Sequence, residues 1–288
     1  METELNRKIF FKKYKITKLI HRTPINFVYE GINILTNESI AMKFEKKSSN
    51  LRLLESELFH LLELKGFGIP KIISFGKNNL FNILVEELLG PSILKLWNLK
   101  ENINQRILLK TICMIGIQSL DRLEFIHSKN YIHRDIKPDN LLIGTKDKNI
   151  IYLIDFGLSG KYKSNRTGKH IKYQFIKRIY GSYRYMSINA NRGFELSRRD
   201  DLESLGYSLI YLAKNYLPWS STDSLQLEKN IIIEAVYKLK HSTTPEKLCK
   251  GLPEEFVEYI KYVKQLLLEE NPDYLYMKSL FSSYLSRN

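Results

Sequence analysis

The residues best suited to chemistry in this chain fall in two short runs, His133-Arg134-Asp135-Ile136-Lys137-Pro138-Asp139-Asn140 and Asp155-Phe156-Gly157. Asp135 offers a carboxylate able to take a proton, Lys137 an ammonium two residues beyond it, and Asn140 and Asp155 oxygens suited to a hard divalent cation. A base, a cation and oxygen ligands for Mg²⁺ are what phosphoryl transfer asks for, since that reaction is mostly positioning and neutralisation of charge. A solvated polar loop would have to spell both runs, in order, by chance.

The two runs resemble the signature motifs of protein kinases, and the resemblance implies a role for each residue. Asp135 would accept the proton of a substrate hydroxyl, Asn140 and Asp155 would hold the Mg²⁺ ions that bridge the phosphates of ATP, and Lys137 would place its ammonium near the γ-phosphate. Arg134 would organise the loop rather than react. Upstream, Ala41-Met42-Lys43 stands on a predicted third strand and Glu55 on the helix that follows. They are placed as a lysine gripping the α- and β-phosphates and a carboxylate steadying it. Glu57 competes for the second role but lies on a different helical face from Glu55. Each of these residues alone would read as a surface charge.

The elements that must position these groups follow from periodicity. Tyr14 to Glu45 reads as strands, with β-branched and aromatic clusters broken by a polar turn at Thr36-Asn37-Glu38. Leu51 to Leu64 places Leu51, Leu54, Leu58, Leu61 and Leu62 on one helical face, with Glu55 and Glu57 interleaved. Lys71 to Phe75 and Phe81 to Leu89 read as two more strands, and the chain then runs into Gly90-Pro91, where a hinge over about residues 87–91 is expected. Beyond it Gln105–Ser128, Asp201–Asn215, Leu225–Leu239 and Glu254–Leu268 have helical periodicity, with short strands only around Leu141-Leu142-Ile143 and Tyr152-Leu153-Ile154. The expected fold class is α+β and bilobal: a small antiparallel sheet with one helix over about residues 14–88, then a mainly helical lobe over about 92–285, in one domain spanning 1–288.

Among kinases the chain most resembles the casein kinase 1 family. The segments that carry the likeness are Leu88-Leu89-Gly90-Pro91-Ser92, His127-Ser128-Lys129-Asn130, Ser187-Ile188-Asn189 where most kinases have Ala-Pro-Glu, and Ser197-Arg198-Arg199-Asp200-Asp201-Leu202-Glu203-Ser204-Leu205-Gly206-Tyr207. The resemblance covers about residues 14 to 285. It implies a serine/threonine protein kinase using ATP and Mg²⁺, with Ile20, Val28, Ala41, Lys43, Glu55, Glu87, Leu89 and Leu142 around the nucleotide. Asp201 would hydrogen-bond the catalytic-loop backbone; the competing reading is a helix-capping Asp. Acidic or phosphoprimed protein substrates are implied, with Lys177, Arg178 and Arg184 as part of an anion site. The chain ends near the family's core boundary, so activity without a partner or activation-loop phosphorylation is expected.

Three departures stand against the family pattern. The stretch Ile20-His21-Arg22-Thr23-Pro24-Ile25-Asn26-Phe27-Val28 aligns with the glycine-rich phosphate loop but has no glycine, and Pro24 removes an amide donor. His21 or Arg22 could supply a cation instead, or the stretch is a plain surface turn. Glu86 stands where an apolar residue is usual before the hinge, and would need a lysine partner or an outward turn. From Ser220 to Asn230, where the family has further basic residues, only Lys229 is basic and Asp223 is acidic, which weakens the case for primed substrates.

Composition bounds the remaining possibilities. With 43% apolar residues the chain is an ordinary globule, and no apolar run approaches the length of a membrane span. The N-terminus lacks signal-peptide order, so an intracellular protein, cytoplasmic or nuclear, is expected. Cys113 and Cys249 lie far apart without partners at metal spacing and read as plain thiols. The net charge of +14 is spread along the chain, and no nucleic-acid motif accompanies it, so nucleic-acid binding is not expected as the primary role. A monomer acting on protein substrates is the expectation. The alternative is a pseudokinase scaffold, motivated by the missing glycines and Glu86.

Overall fold

Alternation of large apolar with polar residues builds the N-terminal strands, and the buried side of that alternation is unusually aromatic. In the computed structural model, which describes residues 9–49, 52–99, 104–224 and 228–288, the chain divides into two units. The first comprises the chain up to Pro91 together with Leu142–Leu158, and the second Ser92–Leu141 together with Ser159–Asn288.

The first unit holds a six-stranded antiparallel sheet made of β1 (Ile9–Phe10), β2 (Tyr14–Arg22), β3 (Asn26–Asn33), β4 (Glu38–Lys46), β5 (Ile72–Lys77) and β6 (Phe81–Glu87), in the order β1-β2-β3-β4-β6-β5. One face packs Phe10, Tyr14, Ile16, Phe27, Tyr29, Ile40, Met42, Phe44, Phe81, Ile83 and Val85 into a core. Phe44 meets Phe10, Tyr29 and Phe81 edge to face, the arrangement that ring quadrupoles favour. Because side chains alternate, Ala41, Lys43 and Glu45 of β4 share the opposite face with Asn82, Leu84 and Glu86 of β6. The polar turn at Asn37 is present, with that residue in the left-handed region at φ 57°.

Helix α1 (Leu53–Glu63) lies on this second face. Its buried stripe is Leu54, Glu57, His60 and Leu61, whereas Leu58 is only half-buried and Leu62 is exposed. The expected stripe was thus rotated by a polar residue that the fold buries. Leu51 of that expectation lies outside the described residues.

The second unit is mainly helical, with α2 (Ile93–Asn98), α3 (Gln105–Ser128), α4 (Ile188–Asn191), α5 (Arg198–Lys214), α6 (Lys229–Ser242), α7 (Pro245–Leu248), α8 (Glu254–Gln265) and α9 (Tyr274–Arg287). An N-terminal antiparallel β-sheet followed by a mainly helical region is the fold class the sequence implied. Helix α3 has the bounds that its periodicity predicted, while α6 begins later than expected; residues 225–227 lie outside those described. The expectation missed α9. Its Met277, Phe281 and Tyr284 recur at helical spacing and pack toward α3 and α8, and Asp273 caps it by accepting the Tyr276 amide at 2.8 Å. Both cysteines are free and buried, and burial pushes both thiols up to about 12. Among the described residues no helix is long and apolar enough to cross a membrane.

Candidate active site

Two polar clusters, one in each unit, carry the chemistry-bearing residues. In the first unit, Lys43 Nζ lies 2.6 Å from Glu57 Oε1 and 3.0 Å from Glu86 Oε2. The expected partner, Glu55, is elsewhere: it faces Lys77 of β5 at 2.5 Å on a largely exposed edge. This corrects the pairing of Lys43 with Glu55, and the cause is the rotation of α1. Glu45, two residues after Lys43 and on the same face of β4, accepts the Leu53 and Leu54 amides at 2.8 and 3.2 Å. That bond satisfies orphan donors at the helix start and sets its rotation, so the residue that follows one turn later on the inner side is Glu57. His60 Nδ1 donates to the Phe156 carbonyl at 2.8 Å and ties the helix to the Asp155-Phe156-Gly157 segment.

The charge balance of this cluster is uneven. Burial opposes the Lys43 ammonium, but Glu57, Glu86 and Asp155 outweigh it and raise the lysine above its ordinary range. Burial also dominates at Glu57, pushing it up to about 8; Lys43 pulls the other way, and Glu86 and Asp155 add to the rise. Glu86 Oε1 is buried with no hydrogen-bond partner. Asp155 itself has φ 69°, in the left-handed region that a non-glycine residue adopts at a cost.

The glycine-free stretch forms a tight turn between β2 and β3. The Thr23 amide donates to Asn26 O at 2.8 Å, the Asn26 amide donates to Thr23 Oγ1 at 2.9 Å, and Lys46 Nζ caps Pro24 O at 2.7 Å. Two of its amides are therefore spent inside the turn, and Pro24 has none to give. Arg22 sits over the Phe27 ring at 5.6 Å. Of the residues expected around the nucleotide, Ala41 is buried, Val28, Leu89 and Leu142 are half-buried, and Ile20 is exposed. Glu87 accepts the Lys71 amide at 2.8 Å.

In the second unit the segment from His133 to Asn140 is fixed mainly by backbone and charge-assisted bonds. Asp201, near the start of α5, accepts the His133 amide at 2.7 Å, the Arg134 amide at 2.8 Å and His127 Nε2 at 2.9 Å. Burial would raise Asp201, yet these donors hold it below the usual carboxylate range. His127 is lowered by its burial. Two backbone amides pinned to one carboxylate let Arg134 take φ 70°, which turns the chain toward Asp135.

Asp135 is satisfied on both oxygens. Oδ1 accepts the Ser182 amide at 2.9 Å and Ser182 Oγ at 3.1 Å; Oδ2 accepts Lys137 Nζ at 2.6 Å. Lys137 also donates to Ser182 Oγ at 3.0 Å. Asn140 Nδ2 donates to Asp135 O at 2.9 Å, which directs its other amide atom, an oxygen, away from that bond. Gly181 makes the approach of Ser182 possible: its φ is 84°, and a Cβ there would lie 2.6 Å from Arg134 O and 3.2 Å from Asp135 Oδ1.

Sequence reasoning overlooked Ser182, Gly181 and Lys240. The last is fully buried on α6 and donates to Tyr183 O at 2.8 Å, Met186 O at 2.6 Å and Asn191 Oδ1 at 2.9 Å. It anchors the segment that carries Ser182. A glycine followed by a hydroxyl residue upstream of Arg184 was the available signal for the first two; nothing local marks a lysine as buried. The Ser187-Ile188-Asn189 segment is held by α5, with Ser187 Oγ at 2.7 Å and Asn189 Nδ2 at 3.1 Å from Asp200 Oδ1. Of the expected anion residues, Lys177 and Arg178 are exposed beside Gly193, while the Arg184 guanidinium stacks 5.2 Å from the Tyr211 ring. The side chain of Asp223 lies outside the described residues.

With this geometry in hand, the match to known proteins is direct: residues 15–274 correspond to the protein kinase domain family. The chain belongs to that family, and membership implies ATP-dependent phosphorylation of proteins.

Proposed function

We propose that the chain is an active serine/threonine kinase of the casein kinase 1 type, acting as an intracellular monomer on acidic or phosphoprimed proteins. The observation that carries the reading is the Asp135 carboxylate, held by Ser182 and Lys137 on a backbone that Asp201 pins. Such a carboxylate is held in position as an acceptor for a hydroxyl proton. Lys137 beside it supplies positive charge for the anionic oxygens of the transferred phosphoryl group.

The donor set suits ATP and Mg²⁺. Lys43 offers the first unit's inward ammonium for phosphates, and Ala41, Val28 and Leu142 give apolar surface for a base. Asn140, its amide nitrogen committed to Asp135 O, has an oxygen left for a cation, and Asp155 has a carboxylate. Among the described residues no three His, Cys, Asp or Glu side chains form a metal cage. That suits Mg²⁺, which takes one or two protein oxygens and completes its shell with phosphate and water. When bound, Mg²⁺ neutralises phosphate charge.

A second reading, a pseudokinase scaffold, has one specific support: the Thr23–Asn26 turn spends its Thr23 and Asn26 amides on itself, and Pro24 has none. The discriminating experiment is Mg²⁺-dependent transfer of labelled γ-phosphate from ATP to casein and to acidic or phosphoprimed peptides. Transfer lost in both Asp135→Asn and Lys43→Met supports the kinase; no transfer by folded wild type overturns it in favour of the scaffold.

A further inference from the structure

Glu86 gives Lys43 one carboxylate more than a single ammonium needs. On the β4–β6 ladder Glu86 pairs with Ala41 and Lys43 with Leu84, so the two charged residues are diagonal neighbours on one face. Glu86 is 2% exposed, its Oε2 lies 3.0 Å from Lys43 Nζ, and its Oε1 has no partner. Glu57 already engages the lysine at 2.6 Å. Three carboxylates, those of Glu57, Glu86 and Asp155, thus bear on one ammonium.

We propose that Glu86 is a second counter-ion that holds Lys43 against anionic ligands and sets the affinity for the phosphate portion of a nucleotide. The proposal rests on the phosphate-gripping role of Lys43 stated above. A phosphate oxygen that reaches Nζ competes with Glu86 Oε2 for the same donor and meets a buried negative charge beside it. Glu57 comes from the helix and Glu86 from the strand, so the lysine can keep the first while giving up the second. The effect is amplified because the Thr23–Asn26 turn shares little of the load: the Thr23 and Asn26 amides are committed within the turn and Pro24 has none. An oxygen left unpaired in a buried site is a cost the fold retains, and it marks Glu86 as the weaker-held of the two carboxylates.

The test compares wild type with Glu86→Gln, which removes charge and keeps shape, and with Glu86→Met, which also removes the buried acceptor. Binding of ATP, tripolyphosphate and adenosine is measured by calorimetry, with melting temperature as the check on folding. ATP and tripolyphosphate should bind about tenfold more tightly to both variants, the order expected for deleting one like charge a few ångströms away in a partly screened site. Adenosine should change less than twofold, and KM for ATP should fall while kcat does not rise. Unchanged or weaker ATP binding in both variants overturns the proposal, as does an equal gain for adenosine. If no form binds ATP, the kinase reading falls. Tripolyphosphate then decides this inference alone: tighter binding to Glu86→Gln upholds it, and equal or absent binding overturns it.

Discussion

The Asp135 and Lys43 clusters solve the burial of charge in opposite ways. Around Asp135 both carboxylate oxygens have donors, and the loop beneath is pinned through the His133 and Arg134 amides to Asp201. Around Lys43 one ammonium serves two carboxylates, and Glu86 Oε1 goes unpaired. The first arrangement is rigid because backbone geometry defines it; the second is poised because a charge balance defines it. Damage to the first should therefore act through displacement, and damage to the second through charge.

The largest effect is expected at Gly181, where displacement can be imposed with one methyl group. In Gly181→Ala the new Cβ meets Arg134 O and strains a backbone at φ 84°. Ser182 must move off Asp135, and transfer should fall by about 10²-fold or more, the scale of an ångström-sized misplacement. Steady-state kinetics should show the loss in kcat with KM for ATP within about twofold. An unaltered kcat would break the claim that the Asp135 cluster is defined by geometry.

Next comes Lys240, which holds the same segment from below. Lys240→Met keeps the apolar volume but orphans the Tyr183 and Met186 carbonyls and the Asn191 amide oxygen. Loss of a buried donor to three acceptors should cost about 3 kcal/mol, read by urea denaturation. A change below about 1 kcal/mol would mean that the segment is secured elsewhere.

These two positions show where the sequence was readable. Lys43, Asp135, Asn140, Asp155 and Asp201 stood in motifs whose spacing is local, and strands and helices followed from periods of two and 3.6. Glu57 was misjudged because an apolar stripe of leucines was allowed to set the helix's rotation. That rotation is in fact fixed by Glu45, which lies on another element and captures the first amides of α1. Lys240 was invisible for the same reason: its three acceptors come from residues 183 to 191, and no window around α6 contains them. Contacts that are distant in sequence decide which polar residues are buried, and composition cannot supply them.

The Lys43 cluster should carry a pH dependence of its own. Glu57 is raised from 4.5 to about 8, so between those values the folded protein keeps a proton that the unfolded chain has lost. Its contribution to stability is then greatest at low pH, and it declines as pH rises from about 5 to 8, by roughly 1–3 kcal/mol. Below the unfolded value both states hold the proton, and this group adds no further slope. Denaturation at pH 5, 6.5 and 8 should show the decline in wild type and a flatter profile in Glu57→Gln. An equal slope in the variant would show that burial does not hold the proton on Glu57.

The smallest effect separates the two glutamates of α1. Glu55 and Lys77 form an exposed pair, and such pairs contribute at most about 0.5 kcal/mol because solvent screens them and long side chains lose entropy in holding them. Glu55→Gln should therefore leave stability and transfer within error. Glu57→Gln, by contrast, leaves Glu86 as the carboxylate paired with Lys43 at 3.0 Å, and the ammonium is then drawn toward β6. Transfer should fall about tenfold, with the loss divided between KM for ATP and kcat, since both position and charge at Nζ change. If Glu55→Gln were the damaging substitution, α1 would have to rotate by about 160° when the site is working, since residues two apart on a helix differ by that angle. The Glu45 bond to the Leu53 and Leu54 amides opposes such a rotation. Pairing the glutamate variants with Glu45→Gln asks whether that cap is what chooses between them: loosening it should lower transfer in wild type and leave nothing further to lose in Glu57→Gln.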